Sequence, residues 1–168
     1  MSKGDDTKYK NEQKTANGVV KLASLLQKVL ETGRTNNVEM SEVSRYLNYY
    51  VKTQLDDSCM YLDYIIYNKS EDGFKQLKSE LVKIFDDINE ILANGYEKLV
   101  APNGSVDKNL FEQLIQIDTE ITVISNMIRN VLGNVKDCGE ITKQGIKEMS
   151  DMINELAVHV NERKKILK

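Results

Sequence analysis

One stretch constrains the fold of this chain more than any other. From residue 110 to residue 135, Leu110, Leu114, Ile117, Ile121, Ile124, Ile128, Val131 and Val135 recur in alternating steps of four and three without a polar interruption. Such a repeat holds one stripe of a helix against a partner over about four heptads, so the segment calls for close antiparallel or coiled-coil packing along its length. The seam returns in Ile146, Met149, Ile153, Leu156, Val160 and Leu167, with Arg163 standing where an apolar residue is expected.

Three further segments share the helical period. Val19, Leu22, Leu26 and Val29, with Ala23 and Leu30 beside them, form a short first helix that Gly33 terminates. A second runs from about residue 38 to 68 on Met40, Val43, Leu47, Val51, Leu55, Leu62 and the pair Ile65 and Ile66. A third carries Phe74, Leu77, Leu81, Ile84, Ile88 and Ile91, plus a second stripe of Val82, Phe85, Leu92 and Tyr96. So wide an apolar arc belongs to a helix with more than one neighbour. The loops have matching chemistry. Ser70 is placed to cap the third helix, Ala101-Pro102-Asn103-Gly104 reads as a turn, and Ser105 or Asp107 is placed to cap the fourth.

The join between the last two helices has two readings. The heptad phase carries through Cys138, Gly145 and Met152, which allows one helix over residues 107–167, about 90 Å long. Gly133, Gly139 and Gly145 would each cost about 1 kcal/mol in a helix interior, so a hairpin is expected. No period-2 strand pattern competes. The expected fold is therefore all-α: an antiparallel up-down four-helix bundle of long heptad-patterned helices with an additional short N-terminal helix. Residues 1–16 are polar apart from Met1 and Tyr9 and are expected to form a disordered arm. Residues 17–168 are expected to form a single bundle domain.

Scarce residues narrow the function. There is one His, one Pro, no Trp and two Cys. One His cannot supply the paired Glu-x-x-His ligands of a di-iron bundle or a His-rich zinc site, and two Cys make neither a disulfide framework nor a zinc finger. No spanning helix is expected, and the polar N-terminus does not read as a secretory signal. The expectation is a cytoplasmic protein with no membrane insertion and no nucleic-acid partner. The net charge of −3 hides a division: residues 1–38 carry net +3, residues 39–140 net −8 and residues 141–168 net +2. The C-terminal Arg163, Lys164 and Lys165 suit the last turn of a helix and form a candidate contact for an acidic partner.

The most unusual surface is aromatic. Tyr46, Tyr49, Tyr50, Tyr61, Tyr64 and Tyr67 lie on one helix, and at 100° per residue they fall within an arc of about 120°. Either another helix covers this arc, leaving hydroxyls at its edge, or it is an interaction surface, since tyrosine is enriched at interface hot spots.

Catalytic patterns are weak. Asp86-Asp87-Ile88-Asn89-Glu90 has the DDxxE form of aspartate-rich magnesium sites, but no clear second acidic motif accompanies it. Glu39-x-x-Glu42 and Glu148-x-x-Asp151 would need facing helices to hold Mg²⁺ together. His159 stands between Glu155 and Glu162, with no Ser or Cys nucleophile near it. No catalytic residue, metal site or cofactor is assigned. The leading expectation is a non-enzymatic bundle acting through a protein partner or as a homo-oligomer, using the tyrosine face first and the basic end second. The alternatives are a Mg- or Mn-dependent enzyme with carboxylates on facing helices, and a bundle that carries an apolar ligand.

Overall fold

A computed structural model describes residues 20–69, 72–92, 95–139 and 141–167. The expected arm at 1–16, Val19 and the Ser70 cap lie outside the described residues. A short helix, α1, occupies residues 20–32. The bundle helices are α2 (Asn37–Lys69), α3 (Asp72–Leu92), α4 (Lys108–Cys138) and α5 (Lys143–Ile166), with a 3-10 turn at Tyr96–Leu99 before α4.

The ends of these helices follow from local chemistry. Asp107 caps α4 by accepting the Leu110 amide at 3.2 Å. Gly139 closes α4 in the left-handed conformation, φ 81°, and its N–H reaches the Val135 carbonyl. Thr142 then caps α5 by accepting the Gly145 amide. The hairpin is therefore the observed arrangement: a left-handed C-terminal residue suits glycine, and it turns the chain before the heptad phase can continue.

Consecutive bundle helices run in opposite directions. The packed neighbours, however, go around a square in the order α2, α3, α5, α4. Across α2 and α4, Tyr50 meets Asn126 and Asp57 meets Arg129, so these two helices are parallel. Across α3 and α5, Glu80 meets Ser150 and Asp87 meets Lys164, so these are parallel as well. The molecule is two antiparallel hairpins, α2–α3 and α4–α5, laid side by side.

Two apolar clusters hold this together. The larger one fills the bundle with the expected stripes, including Val51, Leu55, Leu62, Leu81, Ile88, Ile121, Ile128, Ile153 and Leu156. The buried side of α4 is broader than the heptad seam, because Phe111, Asp118, Ser125 and Leu132 are also buried. The smaller cluster lies under α1 and joins Leu25, Val29, Met40, Val43, Tyr96, Leu99 and Phe111. Tyr96 does not extend the third helix as its stripe suggested. Gly95 interrupts at φ 142°, and Tyr96 turns inward, fully buried, edge-on to Phe111 at 6.0 Å.

Candidate interaction face between α2 and α4

The parallel pairing of α2 and α4 decides what becomes of the tyrosines. Tyr50 lies against the core, and its hydroxyl accepts from Asn126 Nδ2 at 2.8 Å. The Asn126 carbonyl oxygen accepts in turn from Asn130 Nδ2 at 2.6 Å. Tyr61 packs beside Gly133, where a Cβ would stand in ordinary contact, 3.4 Å from Tyr61 Cε2. The Arg129 guanidinium lies 6.0 Å from the Tyr61 ring centre and donates to Asp57 at 2.9 Å. Lys136 bridges the Tyr61 and Tyr64 rings at 5.5 and 5.3 Å. These distances allow cation–π attraction, worth about 0.5–1 kcal/mol at an exposed site.

The six tyrosines therefore divide. α4 covers the inner edges of Tyr50 and Tyr61. Nearer the start of α2, Tyr46 lies 6.0 Å from Lys21 of α1 and lines a cleft of about 320 Å³ between α1 and α2. Tyr49 is half-buried. Tyr64 and Tyr67 remain open, at 50% and 87% exposure. The result is a strip of amides, hydroxyls and rings whose charges are paired locally, through Asp57 with Arg129 and through Lys136 with two rings.

The basic end is corrected by the structure. Lys165 is exposed, and Lys164 pairs with Asp87 at 3.3 Å. Arg163 is not a surface residue: it is 1% exposed, as is Asp118, and its Nε donates to Asp118 Oδ1 at 2.7 Å. The second carboxylate oxygen accepts from the Tyr96 hydroxyl at 2.8 Å, and Arg163 Nη1 donates to the Ile91 carbonyl. The physical reason is the heptad register. Position 163 falls on the buried seam of α5, and the guanidinium enters the core because α4, the 3-10 turn and the end of α3 supply acceptors and a ring face. Burial pushes the Asp118 carboxyl above its ordinary value of 3.8, although Arg163 pulls it down. Burial and the Asp118 charge push the Tyr96 hydroxyl well above 10. The signal for this cluster was the lone Arg in the seam. Asp118, offset one residue from the seam position Ile117, gave none.

The carboxylate motifs do not converge. Glu39 stands where α1 meets α2, accepting from Thr35 and from Lys28 at 2.9 Å, and these two contacts hold its carboxyl below 4.5. Glu148 and Asp151 lie near the start of α5, diagonally across the bundle from α2 and level with its far half, since Ser150 meets Glu80 of α3 and the neighbouring Lys78 meets Asp63 of α2; about 30 Å of helix axis separates the two pairs. Among the described residues no three His, Cys, Asp or Glu side chains gather as metal ligands. His159 sits 3.4 Å from Glu162 and 3.9 Å from Glu155, as an edge residue of α5. Cys59 and Cys138 are both free, and burial pushes the Cys59 thiol up. No described helix is long and apolar enough to cross a membrane. Compared with family models, curated proteins and solved structures, the chain matches none.

Proposed function

We propose that this protein works without catalysing a reaction, as a helical module that binds another protein through the α2–α4 face. One observation carries the reading: Tyr64 and Tyr67 stand open on α2, further along from a ladder of Tyr50, Asn126 and Asn130 that is already hydrogen-bonded. Tyrosine offers a large amphipathic contact with few rotatable bonds, and a fixed amide ladder leaves little to order on binding. The locally paired charges favour a partner surface low in net charge.

The test places a photo-crosslinking residue at position 64 or 67 and, as controls, at Lys75 or Lys83 on the outer face of α3. The expected result is discrete adducts from 64 and 67. Unlabelled wild-type protein should suppress them, and the Tyr64→Ala/Tyr67→Ala double variant should not. Equal adduct yields from the α3 positions, or equal suppression by the double variant, would refute the reading.

The apolar-ligand reading has one observation of its own, the α1–α2 cleft. Val20, Leu22, Leu25, Val43 and Tyr46 line it, with Lys28 and Glu39 at its edge. Native mass spectrometry of the purified protein tests it, and a spectrum holding only the bare chain mass would remove it.

A further inference from the structure

α4 and α5 bury a single stripe. α4 buries Phe111, Leu114, Asp118 and Ile121, and the same alternation of three and four residues runs on to Val135. α5 buries Met149, Ile153, Leu156, Val160 and Arg163 on that alternation. Counted through the turn, the alternation is unbroken: Gly139, Thr142 and Ile146 lead from Val135 to Met149. A hairpin does not require this, because its turn is free to set the rotation of the second helix. The heights agree as well. The contact of Asp118 with Arg163 is centred on the midpoint between residues 140 and 141, and so are the helix ends Cys138 and Lys143. Two straightened α4–α5 helices lying antiparallel about that midpoint therefore place each Asp118 level with the other's Arg163, with both stripes turned inward.

We propose that α5 is exchanged between two copies of this chain: each opens at residues 139–142, joins α4 and α5 into one helix about 90 Å long, and lays its α5 on the α3 and α4 of the other. The socket fixes the occupant. α5 fills the groove between α3 and α4 within one chain, so the α5 of a second copy meets the same groove with the same contacts, the Arg163–Asp118 pair included. Exchange of an identical element is a low-cost route to a dimer. The two forms differ at the turn. The closed form holds Gly139 left-handed at φ 81° and caps α5 with Thr142. The open form sets Gly139 level with Thr142 of the other copy, two small residues at the crossing, where glycine admits a bend between the lobes. A short turn closes at an effective concentration in the millimolar range, so the single chain predominates and the dimer has a Kd on the order of 1 mM. The α2–α4 face lies within one chain, so the dimer carries it twice.

Two substitutions at the turn push in opposite directions. Gly139→Ala strains the left-handed residue and favours the continuous helix, so it should tighten the dimer on the order of 100- to 1,000-fold. Lys143→Pro suits the closed form, because position 143 is the exposed first residue of α5 and follows an extended Thr142; it breaks the continuous helix and should leave only monomer. Each full chain is refolded from urea at about 10 to 500 µM, spanning the expected Kd values, and sized by sedimentation velocity. Exchange itself is read by mixing in the Gly139→Ala background. Asp118→Leu and Arg163→Met chains refolded together should form a heterodimer in which one lobe regains Asp118 with Arg163 and the other lacks both charges. Its urea midpoint should lie at least about 1 M above that of either variant alone, a rescue that a dimer of closed chains does not offer. A Gly139→Ala chain that stays monomeric throughout the range overturns the proposal. So does a Lys143→Pro dimer as tight as that of Gly139→Ala, or a mixture that melts as its two components do.

Discussion

Removing one partner of the Arg163–Asp118 pair is the perturbation with the largest expected effect on this fold. Asp118→Leu strips an acceptor from Arg163 Nε at 2.7 Å and from the Tyr96 hydroxyl at 2.8 Å, with Arg163, Asp118 and Tyr96 all essentially inaccessible to solvent. An uncompensated buried charge costs about 3–5 kcal/mol, and the orphaned hydroxyl adds about 1–3 kcal/mol. The summed loss of about 4–8 kcal/mol is a large part of the total of about 5–15 kcal/mol that holds a domain folded. Arg163→Met should lose about 3–5 kcal/mol for the reciprocal reason. Replacing both, as Asp118→Leu/Arg163→Met, leaves no buried charge, and such exchanges are often neutral or stabilising by about 1–4 kcal/mol. The double variant should therefore be more stable than either single one, with a coupling of several kcal/mol. Urea denaturation followed by circular dichroism measures this. With a slope of about 2 kcal/mol per molar, the midpoint should fall by roughly 2–4 M for the Asp118 change and by roughly 1.5–2.5 M for Arg163→Met. Singles within 1 kcal/mol of wild type, or a double variant equal to the sum of the singles, would refute the reasoning, because either result means the pair is hydrated rather than buried.

Other expected outcomes are smaller. Gly95 has φ 142°, and a Cβ there would stand 2.8 Å from Leu167 Cδ1 and 3.2 Å from the Arg163 guanidinium; Gly95→Ala should cost about 2 kcal/mol. Gly133 is mid-helix with ordinary contact distance to Tyr61, so Gly133→Ala should stabilise by about 0.5–1 kcal/mol; both changes are read from urea midpoints. Acid should act in opposite directions at two carboxyls. Asp118, raised above 3.8, contributes stability that is complete at low pH and is lost as pH rises through its folded value; Asp118→Asn should flatten that fall in a midpoint-versus-pH profile. Glu39, lowered from 4.5, contributes stability present above 4.5 and lost as pH falls through its folded value. NMR shifts of the α1 amides should move over that acid range in wild type and stay fixed in Glu39→Gln.

Much of this fold was legible because its helices are amphipathic and long. The stripes through Met40 to Leu62, Phe74 to Ile88 and Leu114 to Val135 lie in the core, and Gly33, Asp107 and Gly139 end or begin helices where their chemistry suggests. Periodicity shows which face of a helix is buried but not which neighbour buries it. The α2–α4 and α3–α5 adjacencies therefore could not be read from the chain, nor could the covering of Tyr50 and Tyr61 by α4. The tyrosine arc was visible, but its division into covered and open members depends on Asn126, Arg129, Gly133 and Lys136, all about 70 residues distant in sequence. Arg163 was visible as an anomaly in the seam. Its partners Asp118 and Tyr96 come from a different helix and from a turn, and neither position departs from an ordinary local pattern.

The side-by-side hairpins also bear on how the molecule is joined in time. Within each hairpin only a few residues of sequence separate the two helices, so α2–α3 and α4–α5 need little loop closure to form. The contacts between hairpins, such as Tyr50 with Asn126 and Glu80 with Ser150, span 76 and 70 residues, and contacts of that separation are the slow ones to gather. The route from one hairpin to the other crosses a single end of the bundle, past the exposed Pro102 and Asn103. Cut at that turn, the chain becomes two complementary halves, each half of an unfinished core. What holds them as one protein is then the apolar face they share, the polar contacts of Tyr50, Asp57, Asp87 and Tyr96 across it, and the clasp that Arg163 of the second half closes on the Ile91 carbonyl of the first.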